Sequence, residues 1–167
     1  MTISKPADHA ARLERALLSL DGLSVGDAFG ERFFVPPQAA LERVAQRAVP
    51  APPWRYTDDT EMALGIVQVL EEHGHILQDE LARVFGTRYR DNPHRGYGGT
   101  AHDILEAIYL GEPWRRISSQ VFGGTGSMGN GGAMRVAPLG AFFADDLARV
   151  ACEARASAEV THFHPEG

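Results

Sequence analysis

The amino-acid sequence predicts an all-α domain. Apolar residues recur at spacings of three and four in several stretches, which is typical of amphipathic helices. No stretch shows the clean apolar–polar alternation of a half-buried strand, and segments rich in proline or glycine separate the helical stretches. With 167 residues and a hydrophobic content of 44%, the chain is expected to form a single domain over residues 1–167.

The first helix is predicted over residues 8–29. Its apolar residues follow one another at helical spacings: Leu13, Ala16, Leu17, Leu20 and Leu23. Asp27 falls on the same side of this helix, and Glu31 follows it one turn later. A proline-rich connector at residues 49–53 precedes a second helix, which is predicted over residues 58–72.

The second helix opens with the acidic turn Thr57-Asp58-Asp59-Thr60. Helical geometry places Asp59 in the middle of the apolar side and Asp58 at its edge. A carboxylate directed at a core costs several kcal/mol unless it is paired, and a divalent cation is one candidate partner. The alternative is that Thr57 caps the helix and that the two aspartates complement the helix dipole. Three polar side chains cluster on the opposite face of this helix and are expected to face solvent: Glu61, Gln68 and Glu72.

Further helices are expected along the rest of the chain. One covers residues 78–90, with its apolar residues directed inward: Leu81, Val84 and Phe85. Thr100 is a candidate cap for a helix that ends near Leu110, and Pro113 fits the first turn of another. The last two helices are predicted at about residues 133–143 and 145–160.

Residues 123–132 contain six glycines and are predicted to form a loop. The spacing G-x-G-x-x-G occurs within it, but no strand precedes it and no lysine follows Gly129, which excludes the dinucleotide and Walker-type interpretations. Backbone N–H groups of such a loop, together with a helix beginning near Ala133, could bind a phosphate. A flexible linker and a tight crossing between helices remain the alternatives.

The composition limits the partners and the compartment. A net charge of −6 argues against a general nucleic-acid-binding surface. No apolar run approaches the roughly 18 residues of a membrane span, and the N-terminal residues lack the apolar stretch of a signal peptide. A single cysteine, Cys152, suits a reducing compartment, so a cytoplasmic protein is expected.

Four segments, taken in order, resemble the ADP-ribosylglycohydrolase family: Gly26-Asp27-Ala28-Phe29-Gly30, Thr57-Asp58-Asp59-Thr60, Gly129-Asn130-Gly131-Gly132-Ala133-Met134-Arg135 and Thr161-His162. The resemblance implies an all-helical fold with two Mg²⁺ ions, sometimes replaced by Mn²⁺. It implies hydrolysis of the glycosidic bond between ADP-ribose and a modified protein side chain or a related conjugate. The implied partner is therefore an ADP-ribose-containing substrate, such as an ADP-ribosylated protein.

The same resemblance implies roles for individual residues. Thr57, Asp58 and Asp59 match metal ligands, and the two aspartates also belong to the expected catalytic group. The residues that match the diphosphate and ribose cradle are Gly126, Ser127, Gly129, Asn130 and Gly131. Phe122 and His162 match groups beside the adenosine.

Two departures from the family pattern affect these expectations. Phe34 stands where many members carry an acidic residue, and Glu31 is the nearby candidate for the catalytic carboxylate. The family's second Asp-x-Asp segment does not occur before Gly167, so the chain resembles the N-terminal part of a truncated family fold. We therefore expect weak or no turnover from these residues alone. The alternatives are a non-catalytic ADP-ribose-binding module and a structural, crystallin-like relative.

Overall fold

The computed structural model describes residues 5–167, and over these residues it contains helices and loops but no strand, which confirms the all-α prediction. The helices are α1 (His9–Gly30), α2 (Pro37–Ala45), α3 (Asp58–His73), α4 (Gln78–Asp91), α5 (Gly99–Tyr109), α6 (Trp114–Gly124), α7 (Ala137–Phe142) and α8 (Leu147–Glu159). A 3-10 turn at Glu31–Phe33 directly continues α1. Within the described residues, no helix has both the length and the apolar character needed to cross a bilayer.

Helix α3 lies at the centre of the fold, where it packs against α1, α4 and α7. Its apolar residues Ile66, Val69 and Leu70 are fully buried. They share one core with inward-facing residues of the surrounding helices: Leu81, Val84, Phe85, Leu105, Leu139 and Phe142. Because neighbours surround α3, the start of this helix is fixed relative to the end of α1, and this contact positions the site.

The predicted solvent face of α3 is wrong at Glu61, whose side chain is only 1% exposed. The carboxylate pairs with Arg88 of α4 at 2.7 Å and accepts a hydrogen bond from the Tyr56 hydroxyl at 3.1 Å. The spacing of apolar residues could not reveal these partners, because they come from other segments of the chain. Leu17 shows the opposite error, since its spacing predicts burial but it is 44% exposed.

Several predicted boundaries differ from the structure. Thr100 lies inside α5, whose N-cap is Gly98, and Pro113 is the N-cap of α6 rather than a residue of its first turn. The helix expected from residue 133 begins only at Ala137. The carbonyl of Asn130 accepts the backbone N–H groups of Ala133 and Met134, which forms turns where the helix was expected.

Candidate functional site

The start of α3 is held by Asp27 in the last turns of α1. Its carboxylate accepts the backbone N–H of Thr57 at 2.8 Å and that of Thr60 at 3.3 Å. It also accepts the hydroxyl of each threonine at 2.6 Å. Thr57 occupies the N-cap position, but its side chain makes no capping bond to its own helix. The capping acceptor is therefore Asp27, which removes the purely capping interpretation of the Thr57 hydroxyl.

An acidic cavity of about 540 Å³ opens above this contact. Residues from α1, from the turn after it, from the start of α3 and from two distant loops line this cavity: Leu23, Gly26, Asp27, Gly30, Glu31, Phe34, Thr57, Asp58, Asp59, Gly96 and Asn130. The structure thus brings the predicted metal-ligating and catalytic residues together with Asn130 of the glycine-rich loop. More than 70 residues of sequence separate Asp58 from Asn130, so only the tertiary fold creates this proximity.

The acidic cavity brings several carboxylates together at positions that are partly buried from solvent. Burial raises the pKa of Asp58 to about 6, and the nearby Asp59 and Asp27 carboxylates add to this shift. Burial also raises the pKa of Asp59, with Asp27 as the next cause and Glu31 contributing less. None of the residues that line the cavity is a lysine, arginine or histidine. A bound cation would therefore relieve both the repulsion and the desolvation.

The donor set suits a hard divalent cation. The side chains of Thr57, Asp58 and Asp59 offer hydroxyl and carboxylate oxygens, the ligands that Mg²⁺ and Mn²⁺ prefer. The Thr57 hydroxyl lies 3.4 Å from a carboxylate oxygen of Asp59. Among residues 5–167, three histidine, cysteine, aspartate or glutamate side chains with possible ligand atoms within 4.8 Å of one another occur only at Glu72, His73 and Glu80. Because Asp58 and Asp59 form no such cluster with a third acidic side chain, an ion held here would keep several of its waters, as Mg²⁺ usually does.

The glycine-rich loop packs closely against the last residues of the chain. A Cβ atom at Gly126 would lie 2.6 Å from the backbone nitrogen of His164, and Gly126 also has a φ of +78°. A Cβ atom at Gly131 would lie 2.7 Å from Nε2 of His162. These two glycines therefore allow a close approach of the loop to residues 162–164, which lie after α8, so this contact is not the crossing between helices that was one of the alternatives.

Other parts of the glycine-rich loop are accessible. Gly129 and Asn130 are exposed, while Ser127 is buried and its hydroxyl oxygen accepts the backbone N–H of Gly129 at 3.2 Å. No helix N-terminus follows directly, because the six-residue α7 begins at Ala137. The loop can thus offer backbone N–H groups and the Asn130 amide, without the helix dipole that the sequence predicted.

His162 and Phe122 lie outside the acidic cavity. His162 lines a separate cavity of about 200 Å³ together with His164 and Phe163. Burial, helped by the positive charge of Arg135, lowers the pKa of His162 to about 4, so the imidazole is neutral at pH 7. Phe122 is 63% exposed, has a φ of +53° and does not line the acidic cavity. Their expected place beside the adenosine stays a prediction.

Sequence reasoning did not assign a role to Arg135, whose side chain is completely buried. Its guanidinium donates to the Ser157 carbonyl at 2.9 Å and lies 4.6 Å from the centre of the Phe85 ring. Burial lowers its pKa to about 9, and the charge of Asp58 acts in the opposite direction. Asp27 was also not assigned to the site, although its predicted position on the apolar side of α1 was a usable signal.

Comparisons with known proteins show which proteins this sequence resembles. A sequence model of the family described as ADP-ribosylglycohydrolase matches residues 8–167. The chain is 43% identical to ADP-ribosylhydrolase ARH3 of Xenopus tropicalis over 84 residues, which cover 48% of this chain and 24% of that protein. It is 36% identical to the Gallus gallus ARH3 over 115 residues, covering 67% of this chain and 31% of the relative. The chain is 31% identical to the Danio rerio ARH3 over 141 residues, which cover 78% of this chain and 38% of that protein. The matches thus span between about a quarter and two-fifths of the length of these relatives.

Proposed function

The chain belongs to the ADP-ribosylglycohydrolase family, and on this premise we propose that it is a metal-dependent hydrolase acting on ADP-ribosyl bonds. It would cleave the glycosidic bond between ADP-ribose and a modified protein side chain or a related conjugate. The observation that carries the proposal is the shared cavity, in which the acidic turn of α3 meets Asn130 of the glycine-rich loop. The acidic turn suits a cation, and Asn130 suits the polar groups of a nucleotide.

Thr57, Asp58 and Asp59 would hold Mg²⁺, or Mn²⁺ in its place. The bound metal would supply a Lewis acid that activates water and orients the ribose hydroxyls. The four hydrogen bonds that Asp27 accepts at the start of α3 fix Thr57 and the two following aspartates before any ligand arrives. Such preorganisation reduces the conformational cost of binding.

The glycine-rich loop would hold the diphosphate and the adjoining ribose. The exposed Asn130 offers its side-chain amide, and the backbone N–H of the exposed Gly129 would exchange its hydrogen bond to Ser127 for one to a phosphate oxygen. Ser127 and the two packed glycines, Gly126 and Gly131, would set the shape of the loop through their contacts. Phe122 and the neutral His162 would contact the adenosine after a local rearrangement of the loop.

The carboxylates of the acidic cavity would assist cleavage of the glycosidic bond. The bond between the anomeric carbon and the side-chain heteroatom breaks with positive charge developing on the ribose, and negative side chains stabilise that charge. Water adds to the anomeric carbon, and the departing heteroatom takes up a proton. Glu31 is exposed at the rim of the cavity and is the group we assign to this proton transfer.

The proposal is tested by release of ADP-ribose from an ADP-ribosylated peptide under single-turnover conditions, with protein in excess. We expect release that requires Mg²⁺, stops in EDTA and falls at least a hundredfold in Glu31→Gln and Asp59→Asn. Glu71→Gln, an exposed carboxylate on the same helix, is the matched control and should leave the rate unchanged. Binding of ADP-ribose without any release would favour the non-catalytic module, and absence of both would favour the structural, crystallin-like relative.

A further inference from the structure

A second cavity of about 510 Å³ adjoins the acidic cavity. We propose that it binds the polypeptide that carries the ADP-ribosyl group, and that it prefers an acidic side chain near the modified residue. This inference rests on the proposed function, because it assigns the acceptor side of the same reaction. We call this space the acceptor cavity, lined mainly by residues 55–57 and 91–96 together with Glu31.

The acceptor cavity lies across a shared wall from the site of bond cleavage. Glu31, Thr57 and Gly96 line both cavities, whereas Asn130 of the glycine-rich loop lines only the acidic one. A nucleotide held by the loop would enter the acidic cavity from the Asn130 side. The group on the far side of the glycosidic bond would then be directed over the shared wall, into the acceptor cavity.

The two cavities differ in charge. The acidic cavity has no cationic side chain in its lining, whereas the acceptor cavity is lined by Arg55, His94 and Arg95. Asp91 and Glu31 also line the acceptor cavity, so it is not uniformly positive. A mixed lining of this kind suits a single carboxylate on a peptide better than a doubly charged phosphate.

Arg95 is held in a fixed orientation. Its guanidinium lies 3.8 Å from the centre of the Tyr56 ring, and it donates to the Tyr56 carbonyl at 3.2 Å. Its Nε lies 3.8 Å from a carboxylate oxygen of the buried Glu61, which also pairs with Arg88 at 2.7 Å. One buried carboxylate therefore faces two guanidinium groups, so Glu61 does not cancel the charge of Arg95 at this wall of the acceptor cavity.

Arg55 is the cationic group of this cavity that is available to a ligand. It is exposed, and within residues 5–167 its side chain makes neither an ion pair nor a hydrogen bond. Next to the fixed Arg95, it gives the acceptor cavity a second guanidinium that can move toward a carboxylate. Guanidinium groups bind carboxylates with two parallel hydrogen bonds, which favours recognition of an aspartate or glutamate side chain.

The test uses two peptides that carry ADP-ribose through a non-cleavable linkage. They are identical except that glutamates flank the modified residue in one and glutamines in the other. Fluorescence anisotropy with the full chain and Mg²⁺ gives their Kd values, and the Kd of free ADP-ribose is the reference for each variant. We expect the glutamate peptide to bind about three- to fivefold more tightly, as a partly exposed ion pair allows.

Three variants assign that preference to the acceptor cavity. Arg55→Glu should abolish or reverse the preference for the glutamate peptide, and Arg55→Lys should keep part of this preference. Arg47→Glu, at an exposed arginine that lines neither cavity, should leave it unchanged.

The failure of this inference is distinguishable from failure of the proposed function. If free ADP-ribose binds but the two peptides bind equally, or if the preference survives Arg55→Glu, the acceptor assignment is wrong and the proposed function stands. If free ADP-ribose does not bind, both are overturned.

Discussion

At the scale of single residues, the carboxylates around the start of α3 divide into those with several strong partners and those whose hydrogen bonds do not offset the cost of their partial burial. Asp27 accepts four hydrogen bonds, and Glu61 is paired with Arg88 and Tyr56. Burial instead raises the pKa values of Asp58 and Asp59, and the nearest charges to them in the acidic cavity are negative. Hydrogen bonds from Thr57 and the backbone offset this desolvation only in part, which is the physical basis for placing a cation there.

The Asp58 carboxyl should destabilise the metal-free protein at neutral pH. Its pKa is about 6 in the folded state and 3.8 in the reference state, so the folded protein binds more protons between these values. The free energy of unfolding should therefore fall as the pH rises through this window, and the full penalty is present above pH 6. In EDTA, Asp58→Asn should raise the free energy of unfolding by about 1 kcal/mol at pH 7.5, since residual solvent contact screens the effect, and should change it little at pH 4.

Thermal unfolding followed by circular dichroism at the two pH values measures this difference. Glu71→Gln is the control, because this exposed side chain lies on the same helix outside the acidic cavity. An Asp58→Asn variant that is no more stable than the parent at pH 7.5 would contradict the assignment of an incompletely compensated charge at Asp58.

His162 should remain neutral through the physiological range. Its folded-state pKa of about 4 lies below the ordinary value of 6.5, so its contribution to stability is present above pH 6.5 and is lost as the pH falls toward 4. The imidazole proton resonances in two-dimensional NMR should stay constant between pH 5.5 and 8. A titration midpoint near 6.5 would show that the ring is solvated and that its contact with Gly131 is not maintained.

At the scale of elements, the glycine-rich loop packs closely against residues 162–164, and this packing sets the shape of the loop that we propose binds ADP-ribose. Gly131→Ala should lower the affinity for ADP-ribose at least tenfold, because the new Cβ atom meets the ring of His162. We also expect a loss of about 1–3 kcal/mol in stability from overpacking. Gly140→Ala is the matched control, since a Cβ atom there meets nothing within 4 Å and the residue lies in α7.

Isothermal titration calorimetry measures the affinity of both alanine variants, and chemical denaturation measures their stability. Gly140→Ala should keep the affinity and gain up to about 1 kcal/mol in stability. Equal behaviour of the two variants would show that the packing of Gly131 against His162 does not shape the loop.

The sequence predicts well those helices whose bounds follow from the pattern of apolar residues within the helix itself. Helices α1, α3 and α4 have long apolar patterns, and their predicted bounds lie within a residue or two of the observed ones. The short α2 was not predicted, because none of its residues is buried and its pattern carries little core signal. The start of α7 was misplaced because the bonds to the Asn130 carbonyl and the burial of Arg135 depend on the fold.

The parts of the site that the sequence predicts are likewise those that a single helix determines. The inward direction of Asp59 follows from helical geometry, and the acidic cavity does contain this residue together with Asp58 and Thr57. The partners of Glu61 and the cavity shared with Asn130 could not be derived from local patterns, because they join segments that are distant in the sequence. The position of His162 against the glycine-rich loop has the same origin.

At the scale of the whole molecule, the proposed function requires that the binding of Mg²⁺ and the binding of ADP-ribose in the acidic cavity be coupled. If Mg²⁺ and ADP-ribose bind to adjacent groups, each should tighten the binding of the other by the same factor. Calorimetric titration of ADP-ribose, with saturating Mg²⁺ and then with EDTA, measures this factor directly. We expect ADP-ribose to bind at least tenfold more tightly with Mg²⁺, and we expect the double variant Asp58→Asn, Asp59→Asn to lose this gain. An affinity that is the same with and without Mg²⁺, or a gain that survives the double substitution, would contradict the proposed function.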